Sequence, residues 1–296
     1  MEKRKRHQTE EKIIEIGLIL VSTISILTTI GIVITLFYES YEFFKVVSMV
    51  EFFTTLRWAP VFDPPSFGVL PLLSGTLLIA VLSSFISLPL GLGSAIYLSE
   101  FASKKMRQLI KPLLELLAGI PSIVYGFFAL TFITPLIRQI LPDTSVYNAL
   151  SASIAVGIMT LPMVASLSED AMMAVPDSIR QGAYALGSTR LEVALHVIVP
   201  AAFSGIAASF MLAISRAIGE TMIVAIAAGQ TPTFTLNPLE SIQTMTGFMV
   251  NMALGDIQQG SIEFKTVFVV GALLFLVTLS LNFIAKFVIQ KNREVY

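Results

Sequence analysis

Between Ile16 and Ala285, seven stretches of 19 to 36 residues pass without a single Asp, Glu, Lys or Arg. They cover residues 16–38, 64–99, 116–137, 144–168, 193–215, 221–239 and 266–285. A bilayer core about 30 Å thick takes roughly 20 apolar residues as an α-helix. Inside it the backbone must satisfy its own hydrogen bonds, which such runs can do as helices. A large soluble helical core would instead show a polar face every few residues. Only 13% of the 296 residues are charged, about half of the roughly 25% usual in soluble domains. The chain reads as an all-α, polytopic membrane protein.

Five of the runs are long enough to cross a bilayer alone, with 64–99 counted as one span after a Pro/Ser-rich lead-in. The run at 193–215 opens with "VALHVIVPAAF", whose His196 and Pro200 suit an interfacial helix. Its apolar end joins the next run across Arg216 and Glu220 as one span over about residues 203–229. Six transmembrane helices follow. With both termini cytoplasmic, the inner segments hold fourteen Lys and Arg, against four outside: Lys45, Arg57, Arg138 and Lys265. That bias obeys the positive-inside rule. The first span is longer than a signal-peptide core and no A-x-A-like site follows it, so it is expected to stay in the mature protein. The absence of cysteine excludes disulfides and thiolate metal ligands.

The external segment 39–68 ends in "RWAPVFDPPSFG" and reads as a rigid irregular connection rather than a helix. In span two, Pro89, Gly91 and Gly93 are expected to kink the helix or admit a close neighbour. "EFASKKMRQLIKP" reads as a short basic loop on the cytoplasmic side, with Glu115 pairing Lys111 four residues earlier. Gly119, Ile120 and Pro121 break span three near its start. The external stretch 230–264 has a semi-apolar middle that either lies in the interface or re-enters the membrane.

Between spans four and five the signals for helix ends are legible. Pro176 and Asp177 suit a helix start. Ile179, Ala183 and Leu186 fall at i, i+4, i+7 on one narrow apolar stripe, and Gly187 supplies a stop. Thr189 and Glu192 are spaced as a capping box that opens a second helix. Two short amphipathic helices with a sharp elbow fit a docking element for a cytoplasmic partner, the alternative being an ordinary interhelix loop.

The stretch "ISRAIGETMIVAIAAG" sets Arg216 and Glu220 four residues apart in apolar surroundings. On a continuous helix they share a face. Each charge at mid-bilayer costs at least about 2.5–3.5 kcal/mol, so neither faces lipid. One reading is a buried intrahelical ion pair that fixes how span five packs. The other is an anion path. The guanidinium fork matches phosphate oxygens bidentately. A carboxylate nearby reclaims the arginine when the anion leaves, and accepts a hydrogen bond from hydrogen phosphate that sulfate does not offer at neutral pH. Ser215 and Thr221 are secondary candidates, because hydroxyls in spans tend to bond their own backbone.

The chain shows no HExxH and no GxSxG sequence, and "GAYALGST" at 182–189 lacks both the lysine and the preceding strand of a phosphate-binding loop. ATP hydrolysis is therefore expected in a separate subunit, and no cofactor or metal site is expected. An ion-coupled secondary transporter needs acids at mid-membrane. Glu220 is the one such acid, and the elbow has no task in that reading.

"QGAYALGSTRLEVALHVIVP" resembles the EAA loop of ATP-binding-cassette importer permeases. Gln181, Gly182 and Ala183 stand for the opening triplet and Gly187 for the glycine. Nine residues follow, and Val197, Val199 and Pro200 close the pattern. Gln181 and Gly182 depart from its Glu and Ala. In that family this elbow is the coupling helix that sits in a cleft of the ATPase. The resemblance thus implies coupling roles for Gln181, Gly182, Ala183, Leu186 and Gly187. "RWAPVFDPPSFGVLPLLSGTLL", "AGIPSIVYGFFALTFITPLI" and "AISRAIGETMIVAIAAG" are similar to PstC-type permease subunits of bacterial phosphate importers, and the likeness runs over about residues 56–290. It implies a first span and external segment at 1–68 and a MetI-like, type I permease domain at 69–290. It also implies phosphate movement past Arg216 and Glu220 in a bacterial or archaeal inner membrane. The implied partners are a second permease chain (sister or copy), an ATPase dimer and an extracytoplasmic phosphate-binding protein, with no nucleic acid. Sulfate or molybdate is the alternative substrate.

Overall fold

The computed structural model of the chain describes residues 2–291; Arg293, one of the fourteen inner cations, and both chain ends lie outside them. Helix α1, Glu2–Phe44, runs without interruption. From Ile14 to Ile32 its side chains are exposed all round, as a helix clad in lipid requires. Near its C-terminal end it packs on the last helix, where Phe37 meets Phe275 and Ser40 and Phe43 are buried.

The segment that follows is more ordered than expected. Ser48 caps the short helix α2, Met49–Thr54. Strands β1, Trp58–Ala59, and β2, Ser66–Phe67, form a two-residue antiparallel pair. Gly68 makes this possible, because a Cβ there would lie 2.0 Å from the Thr55 carbonyl oxygen. Edge-to-face rings of Phe43, Phe52, Trp58, Phe67 and Phe248 close the cap.

Helix α3, Leu70–Ile96, continues through a π-helical turn at Tyr97–Phe101. Helix α4, Lys104–Ala118, occupies the stretch expected to be a loop. Ser103 accepts from Met106 N–H to start it, and Ile110 and Leu114 pack against Leu98 and Ala165. Lys104 and Lys105 are exposed, whereas Arg107 and Lys111 lie on the bundle-facing side with Ile110 and Leu114. After the expected break at Gly119–Pro121, α5 (Ser122–Phe128), a π-helical turn and α6 (Thr134–Ile140) form one span. Helix α7, Ala149–Met173, is the centre of the bundle.

The elbow consists of α8, Asp177–Ala185, and α9, Arg190–Val193, whose helical course runs on through a π-helical turn into α10, Val199–Ala201. The chain then bends by 74° into α11, Phe203–Ile218. A short helical segment at 222–228 follows, then α12, Met245–Leu254, and α13, Ile262–Lys291. Among the described residues five helices are long and apolar enough to cross a membrane, six when the bent pair is counted as one span.

Lipid tails are as apolar as leucine, so close backbone approach rather than the hydrophobic effect holds such helices together. Helix α7 accordingly buries Ala149, Ser151, Ala152, Ser153, Ala155 and Gly157. Against α3, a Cβ on Gly91 would lie 2.6 Å from Val164, and one on Gly157 would lie 3.0 Å from Ile86. Gly93 has open space around it, whereas Gly75, like Gly91, serves close packing, with its Cβ position 2.5 Å from the Gln243 carbonyl oxygen. The semi-apolar external stretch does enter the bundle. Met245 N–H donates to Thr76 of α3 at 3.0 Å, and Met245 to Phe248 are buried.

Candidate functional site

Span five is not one helix. α11 ends at Ile218, Glu220 N–H bonds back to the Ala217 carbonyl at 3.3 Å, and helix resumes only at Met222. The expected placement of Arg216 and Glu220 on one helix face therefore fails, and they form no ion pair. Gly219 ends α11 with nothing closer than 3.6 Å to a Cβ built on it. Glu220 is buried, and its Oε1 accepts from the N–H groups of Met222 and Ile223 at 3.1 and 3.2 Å. Those donors are among the groups a helix start leaves unsatisfied, and a carboxylate there also complements the helix dipole. Glu220 is committed to the backbone of the next segment.

Arg216 is exposed, on an open face of α11 shared with Leu212 and Gly219. Among the described residues it meets no carboxylate, and its Nη2 lies 3.8 Å from Met159 Sδ. Ser215 Oγ donates to Asn282 Oδ1 of α13 at 3.4 Å, and Thr221 Oγ1 to its own Gly219 carbonyl at 3.1 Å. A cation on an open face of a membrane helix, its neighbouring acid already occupied and its one side-chain contact a weakly accepting thioether, has donors available for an anion.

The elbow forms as its sequence signals require. Pro176 precedes α8, and Gly187 takes φ +86°, a conformation that favours glycine. The capping box is complete. Thr189 Oγ1 accepts from Glu192 N–H at 3.4 Å, and Glu192 Oε2 accepts from Thr189 N–H at 2.7 Å. That second bond, with the Thr189 hydroxyl next in effect, holds the Glu192 carboxyl below its ordinary range. Ile179 and Ala183 pack onto a cluster of Met172, Val175, Val193 and Ile198. Leu186, the third residue of the stripe, does not join them and is 88% exposed. Gln181, Gly182 and Gly187 are exposed beside it, and Tyr184 is 40% exposed. Beneath this face lies a cavity of about 690 Å³ lined by Glu100, Phe101, Ser103, Tyr184 and Arg190.

A set of charges at the same end went unseen in the sequence. Glu169, 2% exposed, lies 3.1 Å from Arg107 Nε and 3.1 Å from Lys111 Nζ. Lys111 also reaches Asp170 at 2.9 Å, a hydrogen bond that with Glu169 pushes its pKa up. Lys111 pairs with these acids of α7 rather than with Glu115. Arg180 of α8 binds Glu100 at 3.3 Å, Asp177 at 3.0 Å, and the carbonyl oxygens of Met172 and Val175 at 2.6 and 3.0 Å. Reading 104–111 as helix would have put Arg107 and Lys111 four residues apart on one face, which is the signal that finds this clamp. Among the described residues no group of three or more His, Asp or Glu is placed to hold a metal ion.

The bundle of about six crossing helices carries an elbow outside its spans, the arrangement expected of an importer permease. The chain belongs to the binding-protein-dependent transport system inner membrane component family, whose model matches residues 87–294. It is an ABC transporter permease subunit. It is 36% identical to the probable ABC transporter permease protein YqgH of Bacillus subtilis, over 86% of this chain and 83% of that one. It is 30% identical to the phosphate transport system permease protein PstC of Mesorhizobium japonicum, over 88% and 84% of the two chains. Among solved structures it shares its fold with a bacterial alginate ABC transporter bound to its pentasaccharide-loaded periplasmic protein. The TM-score is 0.62, with 16% identity over 90% of this chain and 92% of that one. The inward-facing MetNI methionine ABC transporter gives a TM-score of 0.56 at 16% identity, over 77% and 95% of the chains.

Proposed function

We propose that this chain is the permease subunit of an ATP-driven phosphate importer and that Arg216 is its anion contact. The observation that carries the reading is an arginine on the open face of a membrane span with no carboxylate against it. Glu220, engaged with the backbone, sets the break beside it. The PstC relatives at about 30% identity, over most of both chains, support phosphate as the anion. The fourteen-to-four distribution of basic residues supports both termini on the cytoplasmic side. A separate ATPase dimer docks on Gln181, Gly182, Leu186 and Gly187, with Ala183 packing the elbow from within. A second permease chain, sister or copy, completes the path against the open face of α11. Residues 1–68 form the first span and its outer cap, and 69–290 the permease domain. An extracytoplasmic phosphate-binding protein meets the outer segments 39–68 and 230–264.

The test is competition in proteoliposomes that carry the full transporter, its binding protein and internal ATP. Labelled phosphate accumulates only with ATP, and excess sulfate or molybdate leaves its rate unchanged. Equal transport of sulfate or molybdate would overturn phosphate as the substrate.

A further inference from the structure

The break in span five is held from outside the span. The Glu220 carbonyl oxygen accepts from the Thr246 hydroxyl at 2.6 Å. Thr246 stands in the first turn of α12 and is 6% exposed. Its hydroxyl also lies 3.1 Å from that of Thr244, which caps α12 by accepting from Gly247 N–H at 3.0 Å. One residue away, Met245 is tied to Thr76 of α3. The start of α12 is thus fixed between the second span and the break.

We propose that Thr246 is a positioning residue for Arg216. By engaging the Glu220 carbonyl it keeps residues 219–221 out of the helix and Glu220 turned into the following segment, so that Arg216 stays unpaired. In an unbroken helix Glu220 would sit one turn from Arg216 on the same face. There the two charges would neutralise each other, which is the pairing that their spacing in sequence suggests. The segment therefore has two arrangements, a broken one with the arginine available and a continuous one with it sequestered. α12 selects the first, and its withdrawal releases the second. Because α12 belongs to the outer stretch 230–264, contact at the outer face reaches the anion site through a single hydrogen bond. The role for Arg216 rests on the phosphate-permease reading, whereas the hinge itself does not.

Two measurements on the assembled transporter test this. The first is amide hydrogen exchange over residues 219–224 in nanodiscs, which does not depend on the substrate. Thr246→Val, or Thr246→Ala if valine disturbs the packing, removes the hydroxyl and slows exchange there by about tenfold, the worth of a hydrogen bond regained in the helix. Thr246→Ser keeps the native rate. Unchanged or faster exchange in the hydroxyl-less variants overturns the proposal. The second is a double-mutant cycle on phosphate uptake. Thr246→Val lowers uptake in the native background and lowers it no further once Glu220→Gln has removed the competing charge. Equal losses in both backgrounds overturn it. A native transporter that moves no phosphate would overturn the substrate reading, and the exchange comparison would still decide on Thr246.

Discussion

Glu169 is buried between two cations, in surroundings intolerant of a change in charge. Its carboxylate is 2% exposed and meets two cations, each 3.1 Å away. The Lys111 contact is an ion pair without hydrogen-bond geometry, since Glu169 Oε2 has no hydrogen-bond partner. Removing one member of a buried ion pair leaves the rest uncompensated and costs about 3–5 kcal/mol. Arg107 and Lys111 are about a third exposed, so water offsets part of that loss. Glu169→Gln should lower stability by about 2–3 kcal/mol, read as a drop of several degrees in Tm in detergent. An unchanged Tm would show that the cations are solvated without it. Thr246 and Arg216 belong to the same scale, because each acts through the partner it has or lacks.

At the scale of elements, the elbow was legible from its residues and span five was not, for the same reason. Helix ends in water are written in local chemistry. Pro176, Gly187, Thr189 and Glu192 each satisfy or release backbone groups within four residues of themselves, so their spacing is sufficient. The break at Gly219–Thr221 depends on Thr246, which is remote in sequence, and apolar residues on both sides hide it. The local signs were Gly219 and Glu220, whose carboxylate accepts from the N–H groups two and three residues on. α4 was missed because charge was read without its periodicity. For the elbow, Gly187→Ala isolates the turn, since no atom lies within 4 Å of a Cβ there and only the φ of +86° is strained. It should cost about 1–2 kcal/mol, seen as faster amide exchange over residues 183–189. Exchange at the native rate would show that the elbow is held from elsewhere. The lowered pKa of Glu192 means that its cap contributes fully above the ordinary 4.5. That contribution is lost only as pH falls through the folded value, so this cap should hold unchanged near neutrality, read as constant amide exchange at Thr189 and Glu192.

For the whole molecule, the clamp joins the elbow to the spans. Arg180 ties α8 to the ends of α3 and α7, and Glu169 ties α7 to α4, so a push on the elbow moves these helices together. In the proposed docking the force enters at the exposed face around Leu186, where burial of one large apolar side chain is worth about 1.5–3 kcal/mol. Leu186→Asp should weaken co-purification of the ATPase by at least about tenfold while the permease folds normally. Retained binding would place the docking surface elsewhere. The proposed docking residues stand on α8 and the turn after it, and the proposed anion contact on α11, so coupling and selectivity should be separable by mutation.

The measurement that decides most is ATP-driven phosphate uptake by proteoliposomes carrying Arg216→Gln, with ATP hydrolysis recorded in the same vesicles. Uptake should fall by about tenfold or more, the worth of a charge-assisted pair of hydrogen bonds, with assembly and hydrolysis intact. Native uptake by that variant would contradict this and reduce Arg216 to a packing residue of α11.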